Sequence, residues 1–229
     1  MTGERGTMAN ARTVFDEELE ALRLQVEVLT ERVAEAVGRA RQVVVDGDGE
    51  AAHQLIASDD AIDEMSVSLT ETCYTLLARE APVASDLRLV VSIIRVLHTL
   101  ERIGDLALRV AHAVDDQPLI AGHADIYQVL VRLADNVADR FAAVREGWAS
   151  RSVEPLDRLD SFDPLAEFAE PLVTRVMALT GPDAVRVALA ATAMGRSLDR
   201  IGDQTQIMAC RLRYLVTGDV AYLADEVAW

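Results

Sequence analysis

LERIGD at residues 100–105 returns as LDRIGD at residues 198–203, and each copy sets two carboxylates four residues apart around an Arg-Ile-Gly centre. Residues at that spacing lie on one face of an α-helix, about 5–6 Å apart, so Glu101 stacks on Asp105 and Asp199 on Asp203. Two stacked like charges cost a few tenths of a kcal/mol per pair. Gly104 and Gly202 each add about 1 kcal/mol relative to alanine in a helix interior. Two local costs in one turn, written twice, require a compensation elsewhere in the fold.

The flanking residues are helical in both directions. Around the first copy, LRLVVSIIRVLHTLERIGDLALRVAHAV predicts a helix to about Val114, started by Ser85 or Asp86 as cap. Upstream, Leu19, Leu22, Val26, Leu29, Val33 and Val37 recur at helical spacing and predict a long amphipathic helix from Thr13 to about Asp46. DGDG at 46–49 breaks it, and Asp48 supplies a carboxylate for the free amides of a second helix running to about Arg79. DDQPLIAGHAD at 115–125 carries Pro and Gly without a helical stripe and reads as a linker. Three more helices follow, at about 125–148, 156–179 and 183–216.

Superposing the two hexapeptides fixes an offset of 98 residues, which also pairs Arg88 with Arg186 and Ala111 with Ala209 and brings the breaks APVASD and TGPD together. One helix earlier, DAID at 60–63 resembles DSFD at 160–163 at an offset of 100, so two residues separate the halves in loop length. The sequence therefore predicts an all-α fold of two tandem three-helix bundles related by internal duplication.

Composition agrees. Hydrophobic residues make up 51% of the 229 and aromatic residues only 4%, with few glycines and prolines for β turns. Against 38 acidic residues stand 22 basic ones, and the resulting charge of −16 repels nucleic acid backbones at long range. Cys73 and Cys210 sit among apolar helical residues as core thiols, too isolated for a disulfide framework or a zinc site. MTGERGTMAN at the start lacks a signal-peptide stretch, and no run approaches the roughly 20 apolar residues of a membrane span. A cytoplasmic protein is expected.

Two compensations for the stacked carboxylates are open. Arg102 and Arg200, or arginines of neighbouring helices, can neutralise them in a purely structural network. Alternatively, carboxylates converging from facing helices form an oxygen-rich cation site, suited to magnesium, manganese, calcium or iron. The small Gly104 and Gly202 would then admit an ion or a close helix. Asp60 with Asp63, and Asp160 with Asp163, lie one helix upstream of each motif and are the candidates for the facing set.

APVASDLRLVVSIIRVLHTLERIGDLALRVA, with SDDAIDEM before it and SLDRIGDQTQIMA in the second half, resembles the PhoU family of phosphate-transport and phosphate-signalling regulators. The likeness runs from the first helix to about Gly218, and its most specific element is the doubled E/D-x-x-x-D motif. It implies one PhoU-like bundle at 13–115 and a second at 124–218, with tails at 1–12 and 219–229. It further implies metal held by Glu101, Asp105, Asp199 and Asp203, either iron or another ion such as zinc, magnesium, manganese or nickel. A homodimer is implied as well, acting beside a phosphate ABC transporter ATPase and a sensor histidine kinase. Many members carry a histidine directly after the motif's last aspartate, where this chain has Leu106 and Gln204.

An enzyme would need a nucleophile beside a base, or an acid and base in one pocket. His53, His98, His112 and His123 are scattered, with His98 and His112 read as partly buried helix residues, and GDG at 47–49 lacks the lysine of a phosphate-binding loop. A carboxylate-bridged di-metal oxidase would need helical Glu-x-x-His pairs, which the sequence lacks. A regulator without catalysis is expected, with a metal-free interaction bundle as the alternative.

Overall fold

In the computed structural model, which describes residues 3–80, 82, 84–157 and 164–227, all the secondary structure is helical. The elements are α1 (Gly3–Asp46), α2 (Gly49–Glu80), α3 (Ala84–Ala111), α4 (Gln117–Ala121), α5 (Ala124–Ser150), α6 (Glu154–Asp157), α7 (Pro164–Met177), α8 (Ala184–Thr217) and α9 (Ala221–Val227). Among the described residues, no helix is long and apolar enough to cross a membrane.

The first break forms as its residue types dictate. Gly47 takes φ +64°, the left-handed conformation that costs glycine nothing. Asp48 Oδ1 then accepts the amides of Glu50 at 2.9 Å and Ala51 at 3.1 Å, capping α2. α3 begins at Ala84, so Ser85 and Asp86 lie within its first turn rather than ahead of it.

The apolar stripe of α1 is buried from Phe15 and Leu19 through Val37 to Val44. Each such residue contributes about 1.5–3 kcal/mol relative to exposure. α1, α2 and α3 pack on one another, as do α5, α7 and α8, while α1 on α5 and α3 on α8 join the two sets over one continuous core. Polar ties cross the same seam: Arg41 Nε meets Asp135 Oδ1 at 2.6 Å, and Arg145 Nη1 meets Glu31 Oε1 at 2.7 Å.

The expected linker is packed structure. Val114–Asp116 forms a 3-10 turn, and α4 follows with Pro118 in its first turn, where a missing N–H is harmless. Ile120 is buried, and Gln117 Nε2 donates to the carbonyl of Val44 at 3.1 Å, satisfying an orphan group at the end of α1. A five-residue helix is too short to display a period, so only its burial decides it. Of the helix expected over 156–179, the described parts are α6, to Asp157, and α7, from Pro164 to Met177; the residues between lie outside the described ones.

Gly147 sits where the backbone of the second half packs closely. A Cβ there would lie 2.8 Å from both Leu212 Cδ2 and the Ser152 carbonyl oxygen, and the carbonyl belongs to backbone that cannot step aside. Replacing Gly147 by alanine is expected to destabilise the fold by about 1–2 kcal/mol net of the gain in helix propensity. Thermal denaturation reads this as a midpoint roughly 2–8 °C lower; an unchanged midpoint would refute the packing at this turn.

Candidate metal centre

Ile62 on α2 points at Gly104 on α3, where a Cβ would meet Ile62 Cγ2 at 3.4 Å and Cδ1 at 3.6 Å. Ile62 is buried, and its neighbour Asp63 reaches the rim of the same crossing. Glu101 and Asp105 bracket Gly104 on the α3 side. The outcome is a triad, Asp63 with Glu101 and Asp105, whose carboxylate oxygens all lie within 4.8 Å of one another. Among the described residues it is the one group of three or more such donors, and its all-oxygen chemistry suits a hard cation or iron.

The register also shows what the glycines do not do. The contact at Gly104 is close to ordinary, and a Cβ at Gly202 would lie 3.8 Å from Val137 Cγ2. Neither position is compelled by a tight helix crossing. By contrast, a Cβ at Gly195 would run into Leu172 Cδ2.

At the first copy the carboxylates are only weakly compensated. Burial, followed by the nearby carboxylates of Asp105 and Asp60, raises the Asp63 carboxyl above its ordinary value. Burial and then Asp105 raise Glu101, partly offset by His98, whose Nδ1 lies 3.5 Å from Glu101 Oε2. Arg102, the expected neutraliser, makes no ion pair among the described residues and offsets Glu101 less than His98 does. Both His98 and His112 are exposed rather than partly buried, because each lies on the outer side of α3 or just beyond its end.

Asp59 is the residue that sequence reading missed. Burial, and then the charges of Asp63 and Asp105, raise its carboxyl, so it belongs to the same acidic field. The signal was present: Asp59 and Asp63 stand four apart, the spacing of the motif itself. Asp60 is exposed and outside the triad, adding its charge to Asp59 and Asp63 without converging on Glu101 and Asp105.

The second copy is built differently. Asp203 is only 7% exposed, and Arg200 Nη1 reaches its Oδ2 at 3.3 Å. Burial still raises Asp203, with Arg200 opposing, and burial followed by Asp203 raises Asp199. Here an arginine supplies the compensation that Arg102 does not. Asp160 and Asp163 lie outside the described residues. Leu106 is buried in the core, and Gln204 is buried beside Asp203, at the positions that follow the two motifs.

Residues 26–114 match the family model described as the PhoU domain. Over 221 residues the chain is 30% identical to the phosphate-specific transport system accessory protein PhoU of Serratia marcescens, spanning 93% of this chain and 88% of that one. The protein of the same name from Escherichia coli (strain K12) is 29% identical over 212 residues, with 89% and 86% covered. The crystal structure of PhoU from Pseudomonas aeruginosa matches with a TM-score of 0.79 at 30% identity, covering 90% of this chain and 100% of that one. At 24% identity and a TM-score of 0.76, the phosphate transport system regulatory protein PhoU from Streptococcus pneumoniae shares the fold.

The raised carboxyls give the metal-free protein a definite pH response. Asp59, Asp63, Glu101, Asp199 and Asp203 all titrate higher in the folded chain than in the unfolded one. The native state therefore holds these protons more tightly, and stability falls as pH rises through the folded values. Glu20 works the other way: hydrogen bonding to Arg23 lowers it to about 2, so its contribution is complete above its ordinary value and lost only toward that lower pH. Melting in a chelator should be higher near pH 5 than at pH 7. Asp105→Asn should flatten that trend and add on the order of 0.5 kcal/mol at pH 7; a lower midpoint for the variant would contradict mutual repulsion at the triad.

Proposed function

The chain belongs to the PhoU family, and from that premise we propose that it is a non-enzymatic regulator of phosphate uptake and phosphate-starvation signalling. What carries the reading is the length of the likeness, 93% of the chain against a phosphate-specific transport system accessory protein. In this reading it works in the cytoplasm as a homodimer, between a phosphate ABC transporter ATPase and a sensor histidine kinase.

The acidic sites belong to the same proposal. Asp63, Glu101 and Asp105 would hold a metal ion at the first copy, with Asp59 adding charge beside them. At the second, Asp199 and Asp203 would do so, joined by Asp160 and Asp163. A bound cation would supply positive charge where His98 and Arg102 only partly offset the carboxylates. It would tie α2 to α3 and so stiffen the first set of helices. For the second copy, the Arg200–Asp203 contact favours the metal-free alternative, a packed interaction surface.

Lowering the level of the protein in its own cell should switch on phosphate-starvation genes while phosphate is plentiful; unaltered transcript levels would sink the regulatory reading. Elemental analysis after dialysis against a weak chelator separates the metal question. Wild type is expected to retain metal and the Asp105→Ala, Asp203→Ala double variant to lose it. If Asp105→Ala alone empties the protein, the ions sit at the first copy only. Metal absent from wild type and both variants would leave the acidic motifs as packing and surface chemistry.

A further inference from the structure

The terminal stretch DVAYLADEVAW stood apart from both bundles in the sequence, yet α9 is anchored by a buried acid. Glu226 is 7% exposed and pairs with Arg211 of α8, itself 7% exposed, and at 3.6 Å with Arg95 of α3. One turn earlier Tyr222 lies under the guanidinium of Arg213, 6.0 Å from the ring centre. In a chain of charge −16, α3 and α8 thus present a row of arginines along one groove. An acidic, amphipathic helix of the chain's own lies over Arg211 and Arg213, with Arg95 mostly exposed at its edge.

That helix is held loosely for its position. A seven-residue helix does not stand alone in water, and Ala221, Ala224 and Asp225 face solvent, so the contact depends on Glu226 with partial burial of Tyr222 and Leu223. It is joined to α8 through Gly218 at φ +76°, a pivot that glycine adopts without strain. The fit is also incomplete. Among the described residues Arg211 Nε is buried without an acceptor, and Glu226 Oε2 lacks a well-directed hydrogen bond. A carboxylate approaching side-on would engage Nε and Nη2 together, the stronger bidentate arrangement. The resident helix leaves that arrangement unmade.

We propose that the α3–α8 groove beneath α9 is a docking site for an acidic amphipathic helix of a partner protein, and that α9 is its built-in competitor. A partner seated there would lie on the two helices that carry Glu101, Asp105, Asp199 and Asp203, so docking and the state of the acidic motifs would share a framework. The proposal rests on the regulatory reading only in requiring a partner. Failure of the binding described next would leave the phosphate role standing.

The test uses the full chain and a fluorescein-labelled peptide of residues 219–229, read by anisotropy. Glu226→Lys should release α9 and raise peptide affinity at least about tenfold over wild type. Adding Arg211→Ala to that variant should abolish the gain, and raising salt should weaken the binding. Glu226→Gln, a milder change, should give an intermediate gain, and a circular dichroism melt of each variant confirms folding. An alanine-based helical peptide retaining only the Tyr-Leu-x-x-Glu spacing should also bind. Equal binding to wild type and variants, binding by a peptide with its own glutamate reversed to lysine, or binding restricted to the chain's own sequence would each overturn the proposal. So would loss of a wild-type dimer in Glu226→Lys by light scattering, which would assign the groove to the α9 of a second copy.

Discussion

Carboxylates stacked on one helix face repel each other, and the contact of Ile62 with Gly104 forces a third into the same place. The repulsion at that crossing is the constraint around which the first set of helices is organised. Burial deepens it, since a half-buried carboxylate loses hydration that nothing nearby replaces. Packing of Ile62, Ile103 and Leu100 in the core holds the acids together against their charge.

The duplicated motif has diverged in its physics while keeping its letters. At the first copy the arginine between the acids pairs with neither of them among the described residues, and its charge offsets Glu101 only weakly. At the second, Arg200 folds back onto Asp203, and the burial is deeper. Identical spacing therefore supports two different balances of charge. The difference comes from what each copy packs against: Ile62 in one case, Val137 of α5 in the other.

Arginine does much of the joining in this acidic chain. Arg41 and Arg145 each meet a carboxylate across the seam between the two halves, Arg186 meets Asp116 of the segment that connects them, and Arg211 with Arg95 secures α9. Most of these pairs are partly exposed and contribute little individually. The buried Arg211–Glu226 pair differs, because removing one partner strands the other charge. The long apolar stripes of α1, α3, α5 and α8 supply the main stabilisation, and the ionic ties set register.

By itself the sequence determined the helices with long periods, the duplicated acidic motif, and the capping of α2 by Asp48, because each depends on neighbours within a few residues. It also placed Glu101, Asp105 and Asp63 among the candidates, since a four-residue spacing on a helix is local geometry. The four-residue spacing of Asp59 and Asp63 was legible, but tertiary structure decided that Asp59 joins the acidic field while Asp60 faces out, for that choice turns on which side of α2 meets α3. The packed α4 segment and the seating of α9 were likewise settled by burial against distant residues. Short segments carry too few residues to show a period, and a charge reveals its partner only when the fold brings that partner within reach.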